Sequence, residues 1–286
     1  MEDPERLAFG LVPPPSFLGH ERINSLLRWI GDRAGIPLVR RHVGSYDELV
    51  RLLRDGALDV AWLPPIPFAR LEQERIARPL VRAERGGNDA FVAVLFTRAE
   101  SSLVSAEDLR GRHVGWVDPL STTGYVVPRM RLAVRYPGPL FARESFFGSH
   151  AAVVRAVLDG VVDVGASYGG FTEHGELIRG AFLDLGAFAD DLRVLETFRA
   201  IPPDVIAVHT RVNPTLEDAL ASAFEATATD PAMLACVQSV FGALYFGRKE
   251  LTGYDVLRKE VDQGVDSGVI PAAAAFLSTR PPPVQR

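Results

Sequence analysis

A single cysteine, Cys236, is all the chain offers for thiol chemistry, so no intrachain disulfide can form and cysteine-rich zinc scaffolds are excluded. Its neighbours Met233, Leu234 and Val237, in a helical stretch, suit a small buried residue rather than a nucleophile. No run of one charge sign occurs. The 31 Lys and Arg against 36 Asp and Glu leave a formal charge of −5, without the basic face that a nucleic-acid partner demands. Apolar runs are short: Ala272 to Leu277 falls far below the roughly 18 residues of a membrane span, so no direct membrane insertion is expected. The opening Met1-Glu2-Asp3-Pro4-Glu5-Arg6 lacks the basic-then-apolar pattern of an export signal. As written, the chain is expected in the cytoplasm, or outside it if a signal has been removed. His20, His42, His113, His174 and His209 show no metal-ligand spacing, and no Gly-rich nucleotide-binding motif is present, so neither a metal nor a cofactor is expected.

What is there is an ordinary globular balance, 47% hydrophobic and 23% charged over 286 residues, enough for about two domains or one large one. Leu7 to Val12 reads as a strand ended by Pro13-Pro14-Pro15, and Glu21 to Arg33 has helical spacing. Pro37 to His42 reads as a strand, Ser45 to Asp55 as a helix closed by Gly56, and Ala57 to Leu63 as a strand stopped by Pro64-Pro65. Further strands are expected at Phe91 to Thr97, His113 to Val117 and Val205 to His209, and a short helix near Ala106 to Leu109. Asn213 and Asp230 are placed to cap helices at Pro214 to Thr227 and Pro231 to Phe241. Alternating strands and helices predict an α/β fold.

Two segments 104 residues apart look like equivalent parts. Ser45 to Leu63 and Ser149 to Ser167 share Ser45/Ser149, Arg51/Arg155, Asp55/Asp159, Gly56/Gly160, Asp59/Asp163 and Val60/Val164, with apolar residues matched between. Each reads as N-cap, helix, glycine stop and strand. Either any helix-glycine-strand unit converges on this pattern, or the protein has two similar lobes whose helix N-termini open on a shared cleft. On the second reading residues 1–93 plus 204–286 form one lobe and 94–203 the other. Asp59 and Asp163, matched in separate lobes, suit a structural role better than acid/base work.

The segment His113 to Val127 brings a strand to a helix start through Asp118-Pro119 and three consecutive hydroxyl residues, Ser121, Thr122 and Thr123, before Gly124. Unpaired amides and a partial positive charge at such a start can hold an anion, with the hydroxyls as added donors and Gly124 permitting close approach. A plain Ser121 N-cap followed by two threonines is the simpler alternative. Pro128 implies a kink or a short first turn. Gly165-Ala166-Ser167-Tyr168-Gly169 matches GxSxG, the nucleophile elbow of α/β-hydrolases, so an enzyme using Ser167 is the rival class. It is disfavoured because Gly170 follows where a helix should begin.

Phe9-Gly10-Leu11-Val12-Pro13, Ser45-Tyr46, Asp59, the run Val117 to Tyr125 with Pro128, Gly148-Ser149-His150, and Ile201-Pro202-Pro203-Asp204 together resemble one family across nearly the whole chain. They are similar to the phosphonate/phosphite/phosphate-type substrate-binding proteins of ABC transporters, a branch of the type II periplasmic binding protein fold. The resemblance implies a two-lobe α/β fold with a ligand cleft, no catalysis, and a small oxyanion ligand, most of all a phosphonate or related phosphorus compound. It implies that Ser121, Thr122 and Thr123 hold phosphoryl oxygens, that Tyr46 and His150 contribute from two helix starts, and that Asp204 faces the ligand's other end, where a carboxylate suits an amine. An ABC permease is the implied partner. Phe68 and Phe91 stand near positions where the family often has tyrosine, and Ala151 follows His150 where an acidic residue is common.

Overall fold

The structure, a computed structural model, describes residues 6–12, 20–85, 91–171, 177–181, 191–248 and 250–271. The triproline 13–15, His174 and the run 272–277 lie outside the described residues. Two sheets organise the chain. The first takes strands β1 (Leu7–Gly10), β2 (Leu38–Arg41), β3 (Val60–Leu63) and β4 (Ala77–Glu84). The second takes β5 (Val92–Arg98), β6 (Arg112–Trp116), β7 (Phe141–Phe146), β8 (Val164–Phe171), β9 (Leu177–Gly180) and β10 (Leu192–Phe198). The chain then returns to the first sheet with β11 (Val205–His209) and β12 (Tyr245–Gly247).

Spatial order is β12-β4-β11-β3-β1-β2 in one sheet and β10-β5-β8-β6-β7, with β9 on β8, in the other. In each, three parallel strands are followed by one antiparallel strand from elsewhere in the chain: β11 beside β3, and β5 beside β8. The sheets are therefore two versions of one plan. This favours two similar lobes over convergence of a single helix-glycine-strand unit. The chain passes from the first sheet to the second after β4 and returns after β10.

The helices are α1 (His20–Ala34), α2 (Tyr46–Arg54), α3 (Pro65–Gln73), α4 (Val127–Arg135), α5 (His150–Leu158), α6 (Pro214–Ala226), α7 (Pro231–Phe241) and α8 (Tyr254–Asp266). Helix α2 forms because Ser45 accepts from the Glu48 amide at 3.2 Å and Leu49, Val50, Leu52 and Leu53 make one buried face. Helix α5 repeats this with Ser149, the Ala152 amide at 3.2 Å, and buried Val153, Val154 and Val157. The expected caps Asn213 and Asp230 also accept first-turn amides.

One apolar core lies between the first sheet and α1, α6 and α7, and another between the second sheet and α5. A third runs from α2 and α3 to α4 and α8, joining the lobes behind the cleft. Helix α8 straddles them: Tyr254 meets Phe68 edge-on at 5.2 Å, while Glu260 pairs with Arg131 of α4 at 3.0 Å. No helix among the described residues is long and apolar enough to cross a membrane.

Proline misleads twice. Pro64-Pro65 was expected only to stop a strand, but the pair opens α3, because the first helical turn needs no proline N–H. Strand β4 contains Pro79 and escapes the sequence pattern; the proline sits where the pairing with β11 shifts register, so no ladder bond is lost.

Candidate functional site

A cavity of about 320 Å³ lies between the sheets, lined from both. Its floor is the turn after β6. There Ser121 Oγ accepts from the Gly124 amide at 3.1 Å, and residues 122–126 form a single π-helical turn before α4. Pro128 explains the irregularity. It has no N–H for the Gly124 carbonyl, which instead accepts from the Val117 amide at 3.1 Å. The kink expected at Pro128 is thus realised as this π turn.

Ser121, Thr122 and Thr123 are all buried and all line the cavity. Thr122 Oγ1 accepts from the Ile66 amide of α3 at 3.1 Å, a bond that crosses from one lobe to the other. That amide belongs to a helix start with no side-chain cap, so the second lobe supplies the acceptor that the first lacks. Accepting this bond leaves the Thr122 hydroxyl hydrogen free to donate. Gly124 plays a different part from the expected close approach. It does not line the cavity, and a Cβ there would lie 2.3 Å from Val117 Cγ2 and 2.8 Å from Ser121 Oγ. Its missing side chain lets the turn pack on Val117.

Tyr46 and His150, each the first residue of its helix, face one another's lobes across the same cavity. Burial, with the carboxylates of Asp204 and Asp118, pushes the Tyr46 phenol up, so it remains a neutral donor. Burial lowers His150 to about 4, so the imidazole is neutral near pH 7. Its Nδ1 lies 2.9 Å from Ser167 Oγ, and its ring meets Tyr168 edge-on at 4.9 Å. The start of α5 carries no acidic side chain in its first turn, which leaves its positive end unopposed.

The cavity wall also carries a group that sequence reasoning missed. Arg85, on the first passage between sheets, pairs with Asp204, on the second, and its Nη2 also donates to the Phe241 carbonyl at 3.2 Å. Both side chains are over nine-tenths buried, at 7% and 6% exposure. The Arg85 guanidinium lies over the Phe91 ring at 4.3 Å, and Trp62 and Phe241 pack beside it with centroids 4.9 Å apart. Burial raises the Asp204 carboxyl, opposed by the adjacent Arg85. Asp204 thus lies where expected, on the cavity wall, but with a cation already against it. Phe68 is fully buried against Tyr254 and does not line the cavity, whereas Phe91 does.

Asp59 and Asp163 are structural: each accepts the amide of the neighbouring strand's residue, Ala8 at 2.8 Å and His113 at 2.9 Å. Ser167, candidate nucleophile of the hydrolase alternative, is fully buried in mid-strand, with Val94 opposite it on β5. Strand continues beyond it to Phe171, so there is no elbow and no exposed hydroxyl. Among the described residues no group of three His, Cys, Asp or Glu side chains is placed to hold a metal ion.

Residues 18–247 match the family described as ABC transporter, phosphonate, periplasmic substrate-binding protein. Among solved structures, XAC2383 from Xanthomonas citri, bound to a chloride ion, is similar at 23% identity and a TM-score of 0.71, over 92% of this chain and 96% of that one. A binding-protein component of an ABC phosphonate transporter from Pseudomonas aeruginosa gives 19% and 0.74, over 93% and 89%. PhnD1 from Prochlorococcus marinus, in complex with methylphosphonate, gives 17% and 0.72, over 94% and 100%. At these identities the likeness is one of fold.

Proposed function

Because this chain belongs to the family of periplasmic substrate-binding proteins of phosphonate ABC transporters, we propose that its cleft holds a phosphonate by the phosphoryl end at Ser121, Thr122 and Thr123. The protein binds a small oxyanion between two lobes as the substrate-binding component of such a transporter. Tyr46 and His150 close on the same group from the two facing helix starts. The reading includes an ABC permease as the partner that receives the ligand, a location outside the cytoplasmic membrane, and lobes divided as 1–93 plus 204–286 against 94–203.

One observation carries the choice of ligand. The cavity is lined by three hydroxyls and the starts of two helices, and its only lining carboxylate among the described residues, Asp204, is paired with Arg85. An anion therefore meets donors and positive dipole ends without meeting an uncompensated negative charge. The apolar wall of Leu11, Val12, Trp62, Phe91 and Phe241 gives a carbon substituent on phosphorus somewhere dry to lie, which inorganic phosphate would not use.

Thermal shift with methylphosphonate, ethylphosphonate, phosphate and sulfate tests this. At 1,000 times its Kd a ligand adds about 4.1 kcal/mol, so the phosphonates should raise the melting temperature clearly. Failure of every phosphonate to do so would overturn the reading. Thr123→Val is the matching control, since the Thr123 hydroxyl has no hydrogen-bond partner among the described residues. Affinity should fall about tenfold or more while the empty protein melts unchanged.

A further inference from the structure

We propose that the Arg85–Asp204 wall of the cavity selects a phosphonate whose far end carries an uncharged carbonyl oxygen, received by Arg85, in preference to one ending in an ammonium group. The inference rests on the phosphonate reading and narrows it.

The residue that would attract an ammonium tail is already satisfied. Asp204 holds the Arg85 guanidinium in a pair shielded from water. That internal cation occupies the place an amine would take, and an arriving ammonium would meet a buried like charge. A carboxylate tail fares little better, because Asp204 lies directly behind Arg85. The pair is neutral as a unit, so a neutral tail pays no electrostatic penalty against either member.

Within that neutral pair one donor is left over. Arg85 Nη2 serves both Asp204 and the Phe241 carbonyl, whereas Nη1 is buried and has no hydrogen-bond partner among the described residues. A guanidinium can only donate, so only an acceptor can satisfy that nitrogen. Arg85 lines the cavity, so a bound molecule that reaches the guanidinium would supply such an acceptor. The remaining neighbours are ring faces and edges, Phe91 under the guanidinium and Trp62 beside it, which suit an apolar spacer between the phosphoryl group and the acceptor.

Titration calorimetry on the full chain separates the cases with methylphosphonate, propylphosphonate, 2-oxopropylphosphonate and 2-aminoethylphosphonate. The wild type should bind the oxo compound about tenfold more tightly than propylphosphonate, with the amino compound weaker still. In Arg85→Met the oxo advantage should shrink to about threefold or less, and the amino compound should gain because Asp204 is freed. Arg85→Met leaves a buried carboxylate unpaired, so Arg85→Met/Asp204→Asn serves where the single variant folds poorly, and there neither polar tail should be favoured. An oxo advantage that survives in these variants, or a wild type that prefers the amino compound, would overturn the inference. Methylphosphonate keeps the two readings apart: if it binds and tails make no difference, only the inference falls, and if no phosphonate binds, both fall.

Discussion

In the first lobe Asp59 Oδ2 accepts from the Ala8 amide at 2.8 Å, and in the second Asp163 Oδ2 accepts from the His113 amide at 2.9 Å. The backbone bonds from the same aspartates return to Ala8 and His113 carbonyls, both at 2.9 Å. Gly56 and Gly160 both turn left-handed, at φ +65° and +70°, and each lies under an arginine, Arg211 or Arg98. Ser45 and Ser149 cap identically. The first pair that differs, Tyr46 against His150, lines the cavity from both copies, and the Asp47-Glu48 pair that follows in α2 is replaced in α5 by Ala151-Ala152. Residues that match between copies build the scaffold, and the first mismatch after each serine cap places a side chain on the cavity wall.

The largest expected effect comes from that first mismatch. His150 is held near 4 by burial, below its value of about 6.5 in an unfolded chain. Above pH 6.5 neither state carries the proton, so the group contributes no pH dependence. As pH falls from about 6.5 to about 4 the unfolded chain takes up a proton that the native state refuses, and stability drops by about 3 kcal/mol. Urea unfolding of wild type and His150→Asn between pH 7 and 4 measures it, because the difference cancels titrations common to both. Tyr46, shifted upward, supplies no such step in this window. A wild type that tracks His150→Asn throughout would show that the second-lobe imidazole titrates freely.

The matched aspartates come next. Asp163→Ala removes the acceptor for one strand amide, at a cost of about 2 kcal/mol, and Asp59→Ala somewhat more, because Arg211 Nε also donates to Asp59 Oδ1 at 3.0 Å. Chemical denaturation should rank them in that order, and phosphonate affinity of the folded fraction should stay within about threefold. An affinity lost in step with stability would mean that these positions belong to the site after all.

Much of this was legible because the repeat is written in capping residues, glycines and apolar spacing, all local signals. The same holds for β11 and α7, whose observed bounds are those the sequence predicts. What escaped depends on partners far along the chain. Strand β7, Phe-Ala-Arg-Glu-Ser-Phe, lies at a sheet edge with mostly exposed side chains and carries no apolar alternation. Helix α8 begins at Gly253 with no side-chain cap and is fixed by packing against α3 and α4. Arg85 had no readable signal: it follows a proline-containing strand, and its importance comes from Asp204, 119 residues later. The Ser121–Thr123 turn stood out because its hydroxyls are consecutive, and it does line the cavity, whereas the bond from Ile66 to Thr122 joins residues 56 apart.

Tyr46→Phe probes the mismatch from the other lobe. Tyr46 lines the cavity and its phenol makes no hydrogen bond among the described residues, so its removal leaves no orphan among them. Affinity for methylphosphonate should fall about tenfold and the empty protein should melt within about a degree of wild type. Unchanged affinity would leave the first lobe without a side-chain donor of its own and make recognition the business of the second.

The smallest effect tests how far the copies are truly alike. Gly56→Ala and Gly160→Ala each force a Cβ into a left-handed residue, worth about 1 kcal/mol of stability. In each case the added methyl also meets an arginine guanidinium, the far end of a flexible side chain. Arg98 pairs only loosely with the exposed Glu100, at 3.6 Å, and can swing away. Arg211 is held by Asp59 and cannot move without breaking that pair. Gly56→Ala should therefore cost a few tenths of a kcal/mol more than Gly160→Ala, and the excess should vanish when both are measured in an Asp59→Ala background. Equal costs in the wild-type background would mean that backbone conformation alone sets the penalty. A larger cost at Gly160 would show that the second lobe's arginine is held by something other than Glu100, and the correspondence between copies would end at the helix C-terminus.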